Sequence, residues 1–293
     1  MFVPMKVILD EAYFGKYGVP ALPAFNEMQI RACIEAAVEA NSPVILLNLN
    51  RGDPAFTNSI TRHFAEQADV NVALCLDHSR TFEDCILGIR NGVTAIMADR
   101  STLPYEENAG QVGELARIAH AAGISIEGEL GHVGSGLNYA HDGVSELTDP
   151  DSAKRFFEET GVDALAVAVG TAHGVYSGIP KLDFERLADI DAACQRPLVL
   201  HGGSGSGDEN ISRACEMGIA KVNIVTDILT AAYHAALNGD FTGNTIHQFY
   251  PAMFKAIRDT AYRMFSITGS AGKAKGSKSR AHIDGGAGSV IEA

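Results

Sequence analysis

Three histidines in this chain follow short apolar runs: His78 after "VALCLD", His173 after "ALAVAVGTA" and His201 after "PLVL". Neutral imidazole is a ligand for divalent metals, and three imidazoles around one open position describe a catalytic zinc site. An ion held in that way polarises a bound oxygen or lowers its pKa. Polar side chains close the other apolar runs. Asp77 directly precedes His78, Asp99 follows "AIMA", Glu129 lies in "SIEGEL", Asn26 follows "PALPAF", and Asn223 and Thr226 lie in "KVNIVT". No cysteine pair stands near the three histidines, which argues against structural zinc.

The stretch "HGGSGSG" behind "PLVL" has a second use. Gly202 and Gly203 allow backbone N–H groups to approach an anion closely, and Ser204 adds a hydroxyl donor. A helix starting just afterwards contributes its positive N-terminus. The combination predicts a phosphate site. His63, His120, His234, His247 and His282 read as surface or tail residues, whereas His132 and His141 belong to a long polar segment that can reach the site.

For these residues to meet, the elements carrying them must share one face. Apolar runs alternate with amphipathic segments along the chain: "PALPAF" with "EMQIRACIEAAVEA", "PVILLNL" with "TNSITRHFAEQA", and so on to "KVNIVTD" with "ILTAAYHAALNG". The apolar runs are continuous rather than alternating, as expected of parallel strands covered by helices. Eight such units in about 240 residues are the arithmetic of a closed (β/α)8 barrel, whose active sites lie at the C-terminal ends of the strands. An open doubly wound sheet fits less well, because no GxGxxG follows the first strand. Thr81 with Asp84, and Asp149 with Pro150, read as helix starts. Gly92, Gly123, Gly161 and Gly218 read as helix stops. Residues 130–148 form a long loop of the kind that usually serves function. The expected organisation is one domain over residues 1–268 with a C-terminal helical extension, then a flexible Gly/Ser/Lys-rich tail over 269–293.

Composition narrows the partners. A net charge of −13 argues against nucleic acid, and 46% apolar with 20% charged residues suits a globular protein. No apolar run approaches the ~18 residues of a membrane span, and the acidic N-terminus does not read as a secretory signal. Five scattered cysteines, Cys33, Cys75, Cys85, Cys194 and Cys215, read as reduced thiols of a cytoplasmic protein.

The segments "LDHSRTFEDCILGIRNGVTAIMADRSTLPYEEN", "IEGELGHVG", "AVAVGTAHGVY", "LVLHGGSGSGDENI" and "KVNIVTD" occur in the order found in class II ketose-bisphosphate aldolases, and over residues 5–265 the chain resembles that family. The family includes metal-dependent fructose-bisphosphate and tagatose-bisphosphate enzymes. The resemblance implies a (β/α)8 barrel in a homodimer or homotetramer, one zinc per subunit, and a monovalent cation beside the phosphate site. His78, His173 and His201 match the metal ligands. Asp77 matches the acid/base that exchanges a proton with the hydroxyl at the cleaved bond, and Glu129 a carboxylate near the metal. Gly174, Gly202, Gly203, Ser204, Asn223 and Thr226 match positions that bind the ketose phosphate, with Asn223 close to the reacting carbons. Asn26 matches a further substrate contact. The implied reaction is a lyase reaction: reversible cleavage of a phosphorylated ketose into dihydroxyacetone phosphate and an aldehyde through a metal-stabilised enediolate. A Schiff base is the other electron sink, but Lys221, at the start of the eighth strand, is expected to point to the wrong face.

Three departures from the family pattern bear on the substrate. The loop after the fifth strand reads "GSGLNYAHDG", with Leu137 and Asn138 where the family carries a proton-moving carboxylate, leaving Asp142, Glu146 or His141 as replacements. Val225 stands where fructose-bisphosphate enzymes carry aspartate. Arg51 and Arg100 stand where smaller residues are usual and either pair with surface carboxylates or grip an acidic group on the aldehyde half. Aldolases acting on an acidic or modified sugar phosphate, and a non-catalytic aldolase-like subunit, are the alternatives. A metal hydrolase on the same barrel would take HxH from its first strand, which here ends "PAFNE".

Overall fold

The computed structural model describes residues 1–49, 52–134, 147–176 and 178–274. Eight strands, β1 (Val19–Pro23), β2 (Val44–Asn48), β3 (Val72–Ser79), β4 (Ala95–Ala98), β5 (Ser125–Leu130), β6 (Ala164–Val167), β7 (Leu198–Leu200) and β8 (Ile219–Asn223), pair in sequence order and close into a barrel. Every neighbouring pair is parallel, including β1 with β8. The continuous apolar runs therefore mark strands buried on both sides, as their burial patterns show.

Helices α2 (Glu27–Glu39), α3 (Pro54–Gln67), α4 (Phe82–Arg90), α5 (Tyr105–Ala121), α6 (Pro150–Thr160), α7 (Phe184–Cys194), α8 (Asp208–Glu216) and α9 (Thr226–Asn238) follow the strands in turn. Local chemistry sets their ends. Thr81 Oγ1 accepts the Asp84 N–H at 3.1 Å, and Asp149 Oδ1 accepts the Ser152 N–H at 2.9 Å with Pro150 in the first turn. Caps of this kind contribute about 1 kcal/mol each. Gly161 closes α6 with φ of 70°, a left-handed conformation that favours glycine.

One hydrophobic cluster lies between the strands and the helices, with Leu46, Leu74, Ile96, Phe156 and Phe265 among its buried members. A second fills the barrel itself. Its side chains are mostly small, including Ala21, Ala73, Cys75, Ala95, Ala164 and Ala166, and α1 (Met5–Phe14) plugs its base with Met5, Ile8, Leu9 and Ala12. Beyond α9 come a short 3-10 helix (Gly243–Gln248) and α10 (Phe249–Ile267), which packs against α2 and α9. Past α10 the N–H groups of Gly272 and Ala274 donate to Ala40 and Asn41 carbonyls, both at 2.9 Å, so the chain stays attached to the barrel as far as Ala274. Among the described residues no helix is long and apolar enough to cross a membrane.

Candidate active site and metal centre

His78 lies in the last turn of β3, where the register against β4 slips between Leu76 and Ser79. Its φ of 50° is left-handed, rare for a residue with a Cβ and common where a fold holds a side chain for use. His173 sits in the loop after β6, held by its N–H donating to Gly134 O at 2.8 Å, and His201 directly follows β7. The three rings converge at the mouth of the barrel.

Their partners assign the protons. His78 Nδ1 lies 3.0 Å from Asp99 Oδ2, His173 Nδ1 lies 3.0 Å from the Val133 carbonyl, and His201 Nε2 lies 2.9 Å from Glu127 Oε1. A carbonyl or carboxylate oxygen only accepts, so each of these outer nitrogens carries the N–H. The inner nitrogens then present lone pairs to one another. His78 Nε2 is 3.1 Å from both His173 Nε2 and His201 Nδ1, and the last two are 3.3 Å apart. Three neutral rings at such distances cannot hydrogen-bond among themselves; a positive species, either a proton on His78 Nε2 or a metal ion among the nitrogens, satisfies them, and the trio can hold a metal ion.

The surrounding charges favour that species. Burial opposes a charge on His78, but Asp77, the hydrogen bond to Asp99 and nearby Glu129 outweigh it and raise its pKa to about 9. Burial, reinforced by the His78 charge, lowers the pKa of His173 and of His201. Burial also opposes ionisation of Asp77, yet His78 and Lys221 outweigh it and hold its carboxyl below the usual range. Asp77 is thus a carboxylate, and Asn223 Nδ2 donates to its oxygens at 3.2 and 3.3 Å. Glu129 behaves oppositely: burial, then the Asp99 charge, raises its pKa to about 8. Its Oε1 accepts the Val133 N–H at 3.1 Å, while Oε2, like Asn223 Oδ1, is buried with no hydrogen-bond partner. Buried polar atoms left open beside a cavity are available to a ligand. A cavity of about 620 Å³, bordered by Asp77, His78, Arg80, Asp99, Glu129, His132 and His173, opens beside Glu129, a volume within the usual range for small-molecule sites.

The glycine loop after β7 lies beside the start of α9. Gly202 has φ of 66°, and a Cβ there would meet Ala172 O at 2.2 Å. Gly203 donates its N–H to Asn223 O at 3.1 Å, and Ser204 Oγ accepts the Asp227 N–H at 3.2 Å. The loop is therefore tied to β8 and to the first turn of α9, which begins at Thr226. Tyr176 anchors it from the β6 side: its hydroxyl lies 2.8 Å from Gly202 O and 2.6 Å from Ala172 O, and accepts the Ala172 N–H at 2.7 Å. Gly174, φ 94°, lies between those anchors.

Several placements differ from expectation. Asn26 caps α2, its Oδ1 accepting the Gln29 N–H at 3.0 Å, and borders a groove between α2 and α10 rather than the cavity of the histidines. Among the described residues Arg100 pairs with no surface carboxylate. It is buried, donating to Gln111 and to the Ser79 and Asp99 carbonyls, and so ties the β3 and β4 ends together. Lys221 corrects the expected facing: as the third residue of β8 it points into the barrel, where its Nζ donates to Glu127 Oε2 at 2.7 Å. That ion pair, fully buried on both sides, ties up the amine a Schiff base would need. His132 reaches the cavity rim, with Nδ1 3.0 Å from Ser101 Oγ. Arg51, Leu137, Asn138, His141, Asp142 and Glu146 lie outside the described residues.

The family profile described as fructose-bisphosphate aldolase class-II matches residues 3–273. This chain belongs to the class II fructose-bisphosphate aldolase family. Aldolases of the family are lyases and generally metal-dependent, in keeping with the converging histidines. Among solved structures, the YdjI aldolase from Escherichia coli K12 is 33% identical, with TM-score 0.84 and coverage of 94% of this chain and 100% of its own. A protein from Coccidioides immitis provisionally assigned as a fructose-1,6-biphosphate aldolase is 28% identical, with TM-score 0.82 and coverage of 91% and 96%. The fructose-bisphosphate aldolase of Campylobacter jejuni, at 22% identity and TM-score 0.74 over 93% and 96%, shares the fold.

Proposed function

We propose that this aldolase is a zinc enzyme that reversibly cleaves a ketose phosphate into dihydroxyacetone phosphate and an aldehyde. The observation that carries the reading is the set of three inward imidazole lone pairs. Nitrogens bound about 2.0–2.1 Å from a tetrahedral zinc stand roughly 3.3–3.4 Å apart, and the three here stand 3.1–3.3 Å apart. His78, His173 and His201 would hold the ion, one per subunit. When bound, zinc supplies positive charge on which electron density from a ketose carbonyl collects.

The chain's own groups do the rest. Asp77, kept ionised and steadied by Asn223 Nδ2, takes the proton of the hydroxyl on the carbon whose bond breaks, and returns it in condensation. Glu129, like Asp99, also borders the cavity, and with its pKa near 8 it can hold a proton at neutral pH. Asn223 Oδ1 would accept from a substrate hydroxyl, and Glu129 Oε2 would donate when protonated and accept when ionised. Gly174, Gly202, Ser204 and Thr226 would seat the phosphate at the β7 and β8 loops, with any monovalent cation beside it. Gly203, expected to offer its N–H to the anion, instead donates it to Asn223 O and ties the loop to β8. Orientation by that phosphate turns an encounter into a reactive geometry.

The aldehyde half carries an acidic group in the reading favoured by Arg80. In an eight-stranded barrel β7 stands opposite β3. A sugar anchored by phosphate at β7 thus extends toward the β3 end, where Arg80 borders the cavity. Its side chain is 78% exposed and its Nε lies 3.8 Å from Asp99 Oδ2, beyond hydrogen-bond range. The test is a screen of ketose 1-phosphates with neutral, carboxylated or phosphorylated distal carbons, at saturating zinc, assayed for triose phosphate release. Cleavage of the acidic substrates with higher kcat/KM, lost in Arg80→Met, is expected. Release from none would overturn the aldolase reading, and equal use of neutral substrates would remove the acidic aldehyde.

A homodimer or homotetramer is also proposed. Leu229, Tyr233 and Leu237 recur every four residues on α9 and are exposed, with Ile246 and Tyr250 exposed on the segment that follows. Exposed apolar stripes of this kind mark interfaces. Light scattering should give a mass of two or four chains, and Tyr233→Asp should reduce it; a monomeric wild type would contradict the proposal.

A further inference from the structure

Two charged side chains lie deeper in the barrel than the groups that would meet substrate, and Lys221 enters the steps above only through its charge on Asp77. Glu127 and Lys221 have no exposed surface, and they stand among the small apolar residues that fill the barrel. Glu127 is two residues before Glu129 on β5, and Lys221 two residues before Asn223 on β8. Each therefore shares the inward face of its strand with a residue of the site, Glu129 on the cavity wall and Asn223 against Asp77, and lies one layer deeper. The register agrees: Glu127 pairs with Ala164 and Lys221 with Val19, both members of the barrel-filling cluster.

A buried ion pair is weak evidence for stability, because well-packed apolar groups of similar volume usually serve the fold as well or better. What distinguishes this pair is its third member. Glu127 Oε2 accepts from Lys221 Nζ at 2.7 Å, while Oε1 accepts from His201 Nε2 at 2.9 Å. Both carboxylate oxygens are engaged, one by a cation and one by an imidazole. The three imidazoles are oriented differently. His78 is held from the rim by Asp99, whose counter-charge Arg80 is exposed and 3.8 Å away, His173 by a backbone carbonyl, and His201 from below by Glu127, whose counter-charge Lys221 is fully buried and 2.7 Å away. His201 also differs in turning Nδ1, not Nε2, toward the other two rings.

We propose that Lys221 and Glu127 form a positioning relay for the metal: Lys221 holds one Glu127 oxygen in place, and the other Glu127 oxygen fixes both the rotation and the tautomer of His201. The inference rests on the zinc reading of the trio. If Nε2 lost its acceptor, the ring would be free to turn or to carry its proton on Nδ1, where it would block the ion. Outer carboxylates on ligand histidines typically change metal affinity 10–100-fold when removed.

The test measures zinc affinity of the full-length protein by competition with a chromophoric chelator, together with the visible spectrum of the cobalt-loaded protein, which reports ligand geometry independently of turnover. Glu127→Gln should bind zinc about 10–100-fold more weakly and shift the cobalt spectrum. Lys221→Met should weaken binding in the same sense, and Lys221→Arg, which keeps the charge, should restore it. The double variant Glu127→Gln/Lys221→Met buries two neutral groups; it should melt near the wild-type temperature and still bind zinc weakly, which separates positioning from folding. Zinc affinity within twofold of wild type in folded Glu127→Gln and in the double variant would overturn the relay. Failure of both to fold would also overturn it, by assigning the pair to the fold. A wild type that binds no zinc at all would instead remove the metal reading beneath it.

Discussion

Asp77→Asn is expected to lower kcat for ketose phosphate cleavage about 10²–10⁴-fold, the usual contribution of a positioned acid/base, while the protein binds zinc as before. Asparagine keeps the shape of the side chain and the contact with Asn223, but it cannot accept the substrate's hydroxyl proton. The carboxylate is buried, and opposing effects decide its state. Burial favours the protonated acid; the charges of His78 and Lys221 favour the base and prevail. KM should change far less than kcat, because the loss falls on the transition state rather than on ground-state binding. Steady-state kinetics with metal analysis on the same preparation checks both halves. An Asp77→Asn enzyme retaining full kcat would place the proton transfer elsewhere, with Glu129, which also borders the cavity, the next carboxyl to test.

The second large effect concerns the trio. His173→Ala should leave two imidazoles, reduce zinc binding to below one ion per chain at stoichiometric metal, and bring turnover to background. The fold should survive, because His173 sits in a loop outside the strands. Acid should weaken binding in the intact protein by the same logic. The ligands must be deprotonated to bind metal, and His78, with its pKa raised to about 9 by its acidic neighbours, carries a proton at neutral pH when stripped of metal. Zinc must displace that proton, so affinity should fall about tenfold for each pH unit below about 9. The sign for stability is opposite. A folded-state pKa raised from 6.5 to about 9 stabilises the metal-stripped protein fully below 6.5, and the benefit disappears as pH rises through 9. Chelator competition and thermal melts across pH 6–9 measure the two trends, and pH-independent zinc affinity would contradict the proton-displacement account.

The barrel and its histidines were legible because their signals are local. A buried parallel strand reads as a continuous apolar run, a helix start reads as Thr81 or Asp149, and a ligand at a strand end reads as a polar residue breaking such a run. What lay beneath the site was harder to see. In a strand buried on both sides, inward and outward residues look alike, so the facing of Lys221 in "IAKVN" could not be taken from hydropathy. "SIEGEL" did hold a clue: Glu127 and Glu129 are two residues apart, hence on one face, and two carboxyls inside a barrel require partners. Helix α1 escaped notice because its apolar side caps the barrel floor rather than following a strand. Tyr176 and Arg100 act through backbone carbonyls of distant segments, contacts with no signature in residue spacing. Arg100 illustrates the general case, for a charge expected to pair with a surface carboxylate or to grip an acidic group proves to donate to the carbonyls of two strand ends.

The account stands on a cation among three ring nitrogens, and diffraction from zinc-loaded crystals across the zinc absorption edge tests that most directly. The expected map has one strong anomalous peak per chain, bounded by His78 Nε2, His173 Nε2 and His201 Nδ1. A peak bounded instead by His78 Nδ1, Asp99 and Glu129, or no peak at the barrel mouth, would contradict it.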